Sequence, residues 1–159
     1  MTTQPSFQIS ALPMNGFAPL FDLDDDELRA RGARRYVATS NPGFPCRVSL
    51  QDAEVGETLI LVPYDHHPVN GPYRASGPIF VREQAEEAQL APGEVPALLR
   101  HRQLSVRGYS AKGLMVDAAV TPGEELEAVI GRLFGQEKVD YLHVHYAAPG
   151  CFGCWVGRG

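Results

Sequence analysis

Cysteine is scarce in this sequence, which has three among 159 residues. So few cysteines, in odd number, do not form the disulfide framework that small secreted domains use. The first ten residues, MTTQPSFQIS, also lack the basic start and apolar core of an export signal. We therefore expect a cytoplasmic protein, in which paired cysteines more often bind metal or carry out redox chemistry than form structural disulfides.

The sequence also lacks a long hydrophobic run and a basic face. No segment approaches the ~20 apolar residues that span a bilayer, so we expect no membrane partner. The net charge of −5 argues against nucleic-acid binding, which needs clustered basic residues. The densest basic stretch, LRARGARR at 28–35, follows an acidic run and is typical of a solvated helix end.

The chain length and composition favour one folded domain over residues 1–159. A hydrophobic content of 44% and a charged content of 21% are ordinary for a globular protein. Apolar alternation and β-branched runs predict strands at 6–12, 34–40, 46–50, 59–62, 78–81, 104–110, 114–120, 139–146 and 151–156. Helical patterns cover 22–32, 94–103 and 121–135. The predicted fold class is α+β: a largely antiparallel or mixed sheet with two or three packed helices.

The helix at 121–135 has the clearest signals. Thr121 is a suitable cap, Pro122 suits the first helical position, and Glu124 completes a capping box. Its predicted buried stripe consists of Leu126, Val129, Ile130 and Leu133.

The C-terminal segment YLHVHYAAPGCFGCWV, residues 141–156, carries the strongest chemical signal. Alternation along its first strand places Leu142, Val144 and Tyr146 on one face, against the core. Tyr141, His143 and His145 share the opposite face, which meets solvent, a cleft or a second packed layer.

The pairing of the two strands decides which side chains meet. With 147–150 as the turn, His145 lies opposite Phe152 and His143 opposite Cys154. His143, His145 and Cys154 then converge, while Cys151 points the other way. A one-residue change of register, or a bulge at Gly153, would bring Cys151 over.

Three interpretations of this hairpin stay open. The first is a metal site, with His143, His145, Cys154 and, conditionally, Cys151 as ligands, for which zinc is the natural ion. The second is a reactive thiol beside an imidazole. The third is an ordinary hairpin with buried cysteines and hydrogen-bonded histidines. Cys46 is expected to be a buried core residue, or a fourth ligand or a resolving thiol if it lies beside the hairpin.

The segment 65–77 has no period of its own and predicts a long loop. Its polar candidates for ligand binding are Asp65, His66, His67, Tyr73, Arg74 and Ser76. Arg74, with Ser76 and the following amide, could bind a carboxylate or phosphate. Asp65 could orient His66 as a general base. The loop could form a lid over the hairpin site, or its prolines and glycines could merely shape turns.

Three blocks resemble a known family: GARRYVATSNPGFPCRVSLQDAEVGE, PYRASGPIFVRE and YLHVHYAAPGCFGCWV. As a set they are similar to the bacterial family described as domain of unknown function 1203, over nearly the whole chain. The resemblance implies a small, self-contained bacterial protein. It supplies no reaction, cofactor or catalytic residue.

The residues therefore predict a metal or small-molecule site at the C-terminal hairpin. An enzyme built on it would use metal-assisted or thiol chemistry on a small anionic molecule, with Arg74 as the anchor. The alternative is a non-catalytic ligand-binding or protein-interaction module with structural cysteines and histidines. A purely structural protein that forms a homodimer through a sheet edge is a third hypothesis.

Overall fold

A computed structural model describes residues 6–159 and shows two antiparallel sheets with short helices. The strands are β1 (Phe7–Ser10), β2 (Arg34–Val37), β3 (Thr58–His67), β4 (Ala75–Arg82), β5 (Gln103–Tyr109), β6 (Met115–Pro122), β7 (Tyr141–Tyr146) and β8 (Phe152–Arg158). The larger sheet has the order β1-β8-β7-β5-β6 and the smaller β2-β3-β4. The fold is therefore α+β and antiparallel, although we expected one sheet and the structure has two.

The helices are α1 (Asp25–Ala30), α2 (Ala97–Arg100) and α3 (Leu126–Phe134), with short 3-10 helices between other elements. The start of α1 forms a capping box, in which Asp24 and Glu27 bind each other's backbone N–H. Within residues 6–159, no helix is both long and apolar enough to cross a membrane.

Helix α3 packs on one face of the larger sheet and buries its predicted stripe there. Leu126, Val129, Ile130 and Leu133 all belong to an apolar cluster with Leu104, Val106, Leu142, Val144 and Val156. The predicted start of this helix is wrong, since β6 runs to Pro122 and 123–125 form a 3-10 turn without a side-chain cap. Strand pairing explains this, because Thr121 and Pro122 lie opposite Leu104 and Gln103 in the β5–β6 ladder.

The smaller sheet has its own core. Leu28, Cys46, Val48, Ile60, Ile79 and Val81 are buried together beneath it. Cys46 is thus a buried core residue, as expected. The strand predicted at 46–50 is wrong, because this segment makes one bridge from Cys46 to Phe80 and then turns, with Leu50 at φ 51°.

The predicted long loop at 65–77 is shorter than expected, because residues 65–67 and 75–77 belong to strands. β3 continues to His67 and β4 begins at Ala75, with a register shift between Tyr64 and His67. Only residues 68–74 connect the two strands. The two histidines therefore lie on a strand of the smaller sheet rather than on a loop.

The register of the β7–β8 hairpin corrects the predicted meeting of histidine and cysteine. His145 pairs with Phe152 as expected, but Val144 pairs with Cys154 and His143 with Trp155. The shift occurs at Gly153, where a Cβ would lie 2.9 Å from the Val144 carbonyl oxygen. This bulge turns Cys154 into the apolar core, away from the face that carries the histidines.

Candidate ligand-binding pocket and the adjoining histidine cluster

The face of the larger sheet opposite α3 carries polar and aromatic side chains. On β5, Ser105, Arg107 and Tyr109 pair with His145, His143 and Tyr141 of β7. The end of β3 packs against this face, because both of its histidines contact the β7 side chains. We expected the face that carries His143 and His145 to meet solvent, a cleft or a second packed layer. The structure shows the second packed layer, which is the end of β3.

Four histidines form a cluster between the sheets: His66, His67, His143 and His145. The ring centroids lie 5.1 Å apart for His66 and His145, and 5.1 Å apart for His67 and His143. His143 lies 6.0 Å from both His66 and His145. The structure thus brings together residues that the sequence placed in two separate segments.

Hydrogen bonds orient two of these rings. Nδ1 of His67 donates to the Tyr73 carbonyl at 2.7 Å, so its Nε2 accepts from the Tyr141 hydroxyl at 2.5 Å. Nδ1 of His145 donates to the Gly150 carbonyl at 3.0 Å. Among the described residues, His145 Nε2, His66 Nδ1 and His143 Nδ1 are buried without a hydrogen-bond partner.

Burial favours the neutral form of His66, His143 and His145. Desolvation, aided by the neighbouring histidines, lowers the pKa of His143 to about 3. Desolvation likewise lowers the pKa of His145 to about 4 and holds that of His66 below its usual value. These three rings therefore carry lone pairs rather than positive charge at neutral pH.

The cluster does not form the predicted zinc ligand set. Within residues 6–159, no group of three or more histidine, cysteine, aspartate or glutamate side chains is arranged to hold a metal ion. Cys154 lies in the apolar core, where burial raises its pKa to about 12 and keeps the thiol protonated. Cys151 follows the turn directly, is half-buried and contacts Arg47.

A cavity of about 380 Å³ opens beside the turn at 147–150. Its volume lies within the ~300–1,000 Å³ range of small-molecule sites. The walls are mostly apolar, and the polar groups among them include Arg47, Arg102 and Cys151. We call this cavity the turn pocket.

Arg47 lines the turn pocket and is 1% exposed. Its Nε donates to the Phe152 carbonyl at 2.7 Å, one Nη to the Pro45 carbonyl at 2.6 Å, and the other to Cys151 Sγ at 3.0 Å. Within residues 6–159 it forms no ion pair with a carboxylate. A buried cation of this kind is unusual, because charged groups are almost never fully buried unless paired.

Arg102, the second guanidinium of the pocket, is already paired. It binds Asp52 through both oxygens, at 2.5 and 3.0 Å, and the carboxylate is 8% exposed. The guanidinium carbons of Arg47 and Arg102 lie 4.9 and 5.3 Å from the centroid of the Tyr146 ring. The excess positive charge of the pocket therefore belongs to Arg47.

The remaining sequence candidates lie elsewhere. Asp65, Arg74 and Ser76 are exposed and border a depression of about 110 Å³. The Asp65 carboxylate beside Arg74 disfavours an anion there. Tyr73 contributes its carbonyl to His67, and its exposed ring contacts Tyr109.

Sequence reasoning missed Arg47 as a functional residue. The available signal was an arginine inside the apolar run of GFPCRVSL, between residues that are now seen to be buried. Its importance depends on burial without a carboxylate, which no local pattern reveals.

The comparisons with known proteins identify a family. No curated protein and no solved structure matches the chain. A family model described as "Protein of unknown function (DUF1203)" matches residues 43–158, which include Arg47, the four histidines and the turn pocket. Since this match covers well over half of the sequence, the chain belongs to the DUF1203 family.

Proposed function

We propose that this protein binds a small organic anion in the turn pocket, specifically a carboxylate with an apolar body. The observation that carries the proposal is the buried guanidinium of Arg47, which has no carboxylate partner within residues 6–159. Arginine has five N–H donors, and Arg47 makes one hydrogen bond through each of its three nitrogens. N–H donors therefore remain for a ligand.

The electrostatics of the site favour an anion. A buried charge is costly unless it is paired and hydrogen-bonded. A bound carboxylate would supply the missing negative charge and accept charge-assisted hydrogen bonds from the guanidinium. Arg102 would add little net charge because Asp52 neutralises it.

The shape of the site favours a ligand that is only partly polar. Pro45, Phe80, Ala148 and Pro149 contribute apolar surface to the cavity. An apolar group placed there leaves water, which contributes about 25 cal/mol per Å² of buried surface. A short aliphatic or aromatic acid has both the negative charge that pairs with Arg47 and an apolar body that packs on the cavity walls.

Calorimetric titration with butyrate, benzoate and the neutral butyramide tests the proposal. We expect each acid to bind and to raise the melting temperature, with the amide at least ~10-fold weaker because it lacks the charge-assisted pairing. Equal affinity for acid and amide, or no binding of either acid, would overturn the proposal.

A wall variant supplies the matched control. Ala148 is exposed on the turn and lines the cavity, so Ala148→Trp should fill the pocket without disturbing the core. We expect this variant to remain folded and to lose acid binding. Arg74→Ala, at the rival exposed anion position, should bind the acids as the unmodified protein does. Binding lost in Arg74→Ala and kept in Ala148→Trp would place the site elsewhere.

A further inference from the structure

Cys151 is the thiol that faces the turn pocket. It is half-buried and lines the cavity, with Sγ 3.0 Å from an Arg47 nitrogen. The other two cysteines are fully buried in apolar clusters. The Cys46 sulfur accepts hydrogen bonds from the backbone N–H groups of Ser49 and Arg82.

The contact between Arg47 and Cys151 also defines where a bound acid would react. Charge-assisted N–H···O bonds are about 2.8 Å long, and the α-carbon lies about 1.5 Å beyond the carboxyl carbon. The Arg47 guanidinium already touches Sγ. An acid that binds to the free N–H groups of this guanidinium therefore has its α-carbon close to the sulfur. Carbons farther along the ligand extend toward the apolar walls.

We propose that Cys151 is a nucleophile that bonds covalently to the α-carbon of carboxylates in the turn pocket, with 2-oxo acids as the substrate class. This inference rests on the proposed anion binding. The sulfur electron pair forms an S–C bond to the carbonyl carbon at the 2-position, and the C=O π bond breaks. The carbonyl oxygen takes the proton that the thiol gives up, so the product is a hemithioketal and no other reactant is consumed.

The surroundings of the sulfur suit this step. Cysteine reacts through its thiolate, and a hydrogen bond from a guanidinium strengthens as negative charge develops on the acceptor. Arg47 would thus bind the acid and assist the attacking atom. The reaction is an addition that reverses by the same path, so it describes either a covalent binding protein or the first step of an enzyme.

Paired alkylating agents test the geometry directly. Iodoacetate carries a carboxylate next to its electrophilic carbon, whereas iodoacetamide is neutral; with either, sulfur bonds to that carbon and iodide leaves. We expect iodoacetate to modify Cys151 about tenfold faster, relative to iodoacetamide, than it modifies free cysteine, because the pocket concentrates the anion. Intact mass and peptide mapping give the site and the rate.

Two variants set the controls for this ratio. Ala148→Trp should bring the ratio down to the value for free cysteine, and Arg74→Ala should leave it raised. A ratio equal to that of free cysteine in the unmodified protein would overturn the inference. The inference would also be overturned if the ratio is raised in the unmodified protein but falls to the free-cysteine value in Arg74→Ala.

A 2-oxo acid tests the substrate class. With [2-¹³C]pyruvate, we expect a tetrahedral C-2 resonance, distinct from that of pyruvate hydrate, that is absent with the Cys151→Ala variant. If butyrate binds but only the hydrate resonance is seen and iodoacetate shows no preference, the covalent inference fails while the anion-binding function stands. If butyrate does not bind either, both fail.

Discussion

His67 and Tyr141 join the two sheets through a hydrogen bond of 2.5 Å between Nε2 and the phenol oxygen. His67 lies at the end of β3 and Tyr141 at the start of β7, so the bond connects elements that share no backbone ladder. The imidazole is fixed on its other side by the Tyr73 carbonyl. This pair therefore positions the connection 68–74 against the larger sheet.

Loss of the Tyr141 hydroxyl should destabilise the protein. Tyr141→Phe leaves Nε2 of His67 buried without its donor, which costs about 1–3 kcal/mol. Urea denaturation followed by circular dichroism measures the change in the free energy of unfolding. Tyr73→Phe is the matched control, because this residue is 39% exposed and we expect a change near zero. Equal effects of the two substitutions would contradict the assigned role of the bond.

The histidine cluster predicts a loss of stability in mild acid. The unfolded chain takes up protons near the ordinary histidine pKa of 6.5, while the folded pKa values of His143 and His145 are about 3 and about 4. The unfolded state therefore binds more protons across this interval. The free energy of unfolding should be highest above pH 6.5 and should fall steadily as the pH drops toward 3.

One variant separates this effect from that of the carboxylates. Ion pairs lower the pKa values of Glu57 and Glu127, so these groups weaken the fold mainly below about pH 4.5. His143→Phe should therefore reduce the slope of unfolding free energy between pH 6.5 and 4.5. Val144→Ala, which removes a buried apolar side chain from the same strand but no titrating group, should lower the stability and leave this slope unchanged. A similar reduction in both variants would contradict the prediction.

The bulge at Gly153 should tolerate no side chain. A Cβ there would lie 2.9 Å from the Val144 carbonyl oxygen and 3.3 Å from the Tyr146 ring. We expect Gly153→Ala to cost about 1–3 kcal/mol, the usual range for an overpacked core, and to lower the melting temperature. Gly71→Ala serves as the control, since nothing lies within 4 Å of its added Cβ. A melting temperature that is unchanged by Gly153→Ala would argue against this register.

The three free cysteines should differ in accessibility. Cys46 and Cys154 are 0% and 1% exposed, whereas Cys151 lines an open cavity. We expect an aromatic disulfide reagent to titrate one thiol in the folded protein and three in guanidinium chloride. Cys151→Ala should abolish the folded-state reaction. Rapid reaction of a second thiol would contradict the burial of Cys46 and Cys154, and peptide mapping would show which of the two is exposed.

Local patterns predicted the elements whose signals lie within a few residues. The strands at 104–110, 114–120 and 139–146 follow from alternation, and the same alternation assigned Leu142 and Val144 to the core face. The buried stripe of α3 follows from helical spacing. In each case the hydrophobic period is enough to choose the conformation and the buried side.

The missed features depend on contacts between distant segments. The bulge that redirects Cys154 exists because Gly153 lies against Val144 and Tyr146. His66 and His67 appeared to belong to a polar loop because the sheet face that covers them comes about 75 residues later. Whether Arg47 has a counter-ion is likewise a property of the folded chain, so the pocket could not be read from the sequence.

Phe152 makes the turn pocket and the histidine cluster neighbours through a single residue. Its carbonyl accepts the Arg47 Nε hydrogen bond, and its ring stacks on His66 with centroids 5.5 Å apart and planes 12° from parallel. The residue that binds Arg47 through its carbonyl therefore also touches three imidazoles through its ring, and a shift of the guanidinium on acid binding would reach them through it. Imidazole chemical shifts in a nuclear magnetic resonance spectrum would then act as a built-in reporter of occupancy on the far side of the strand.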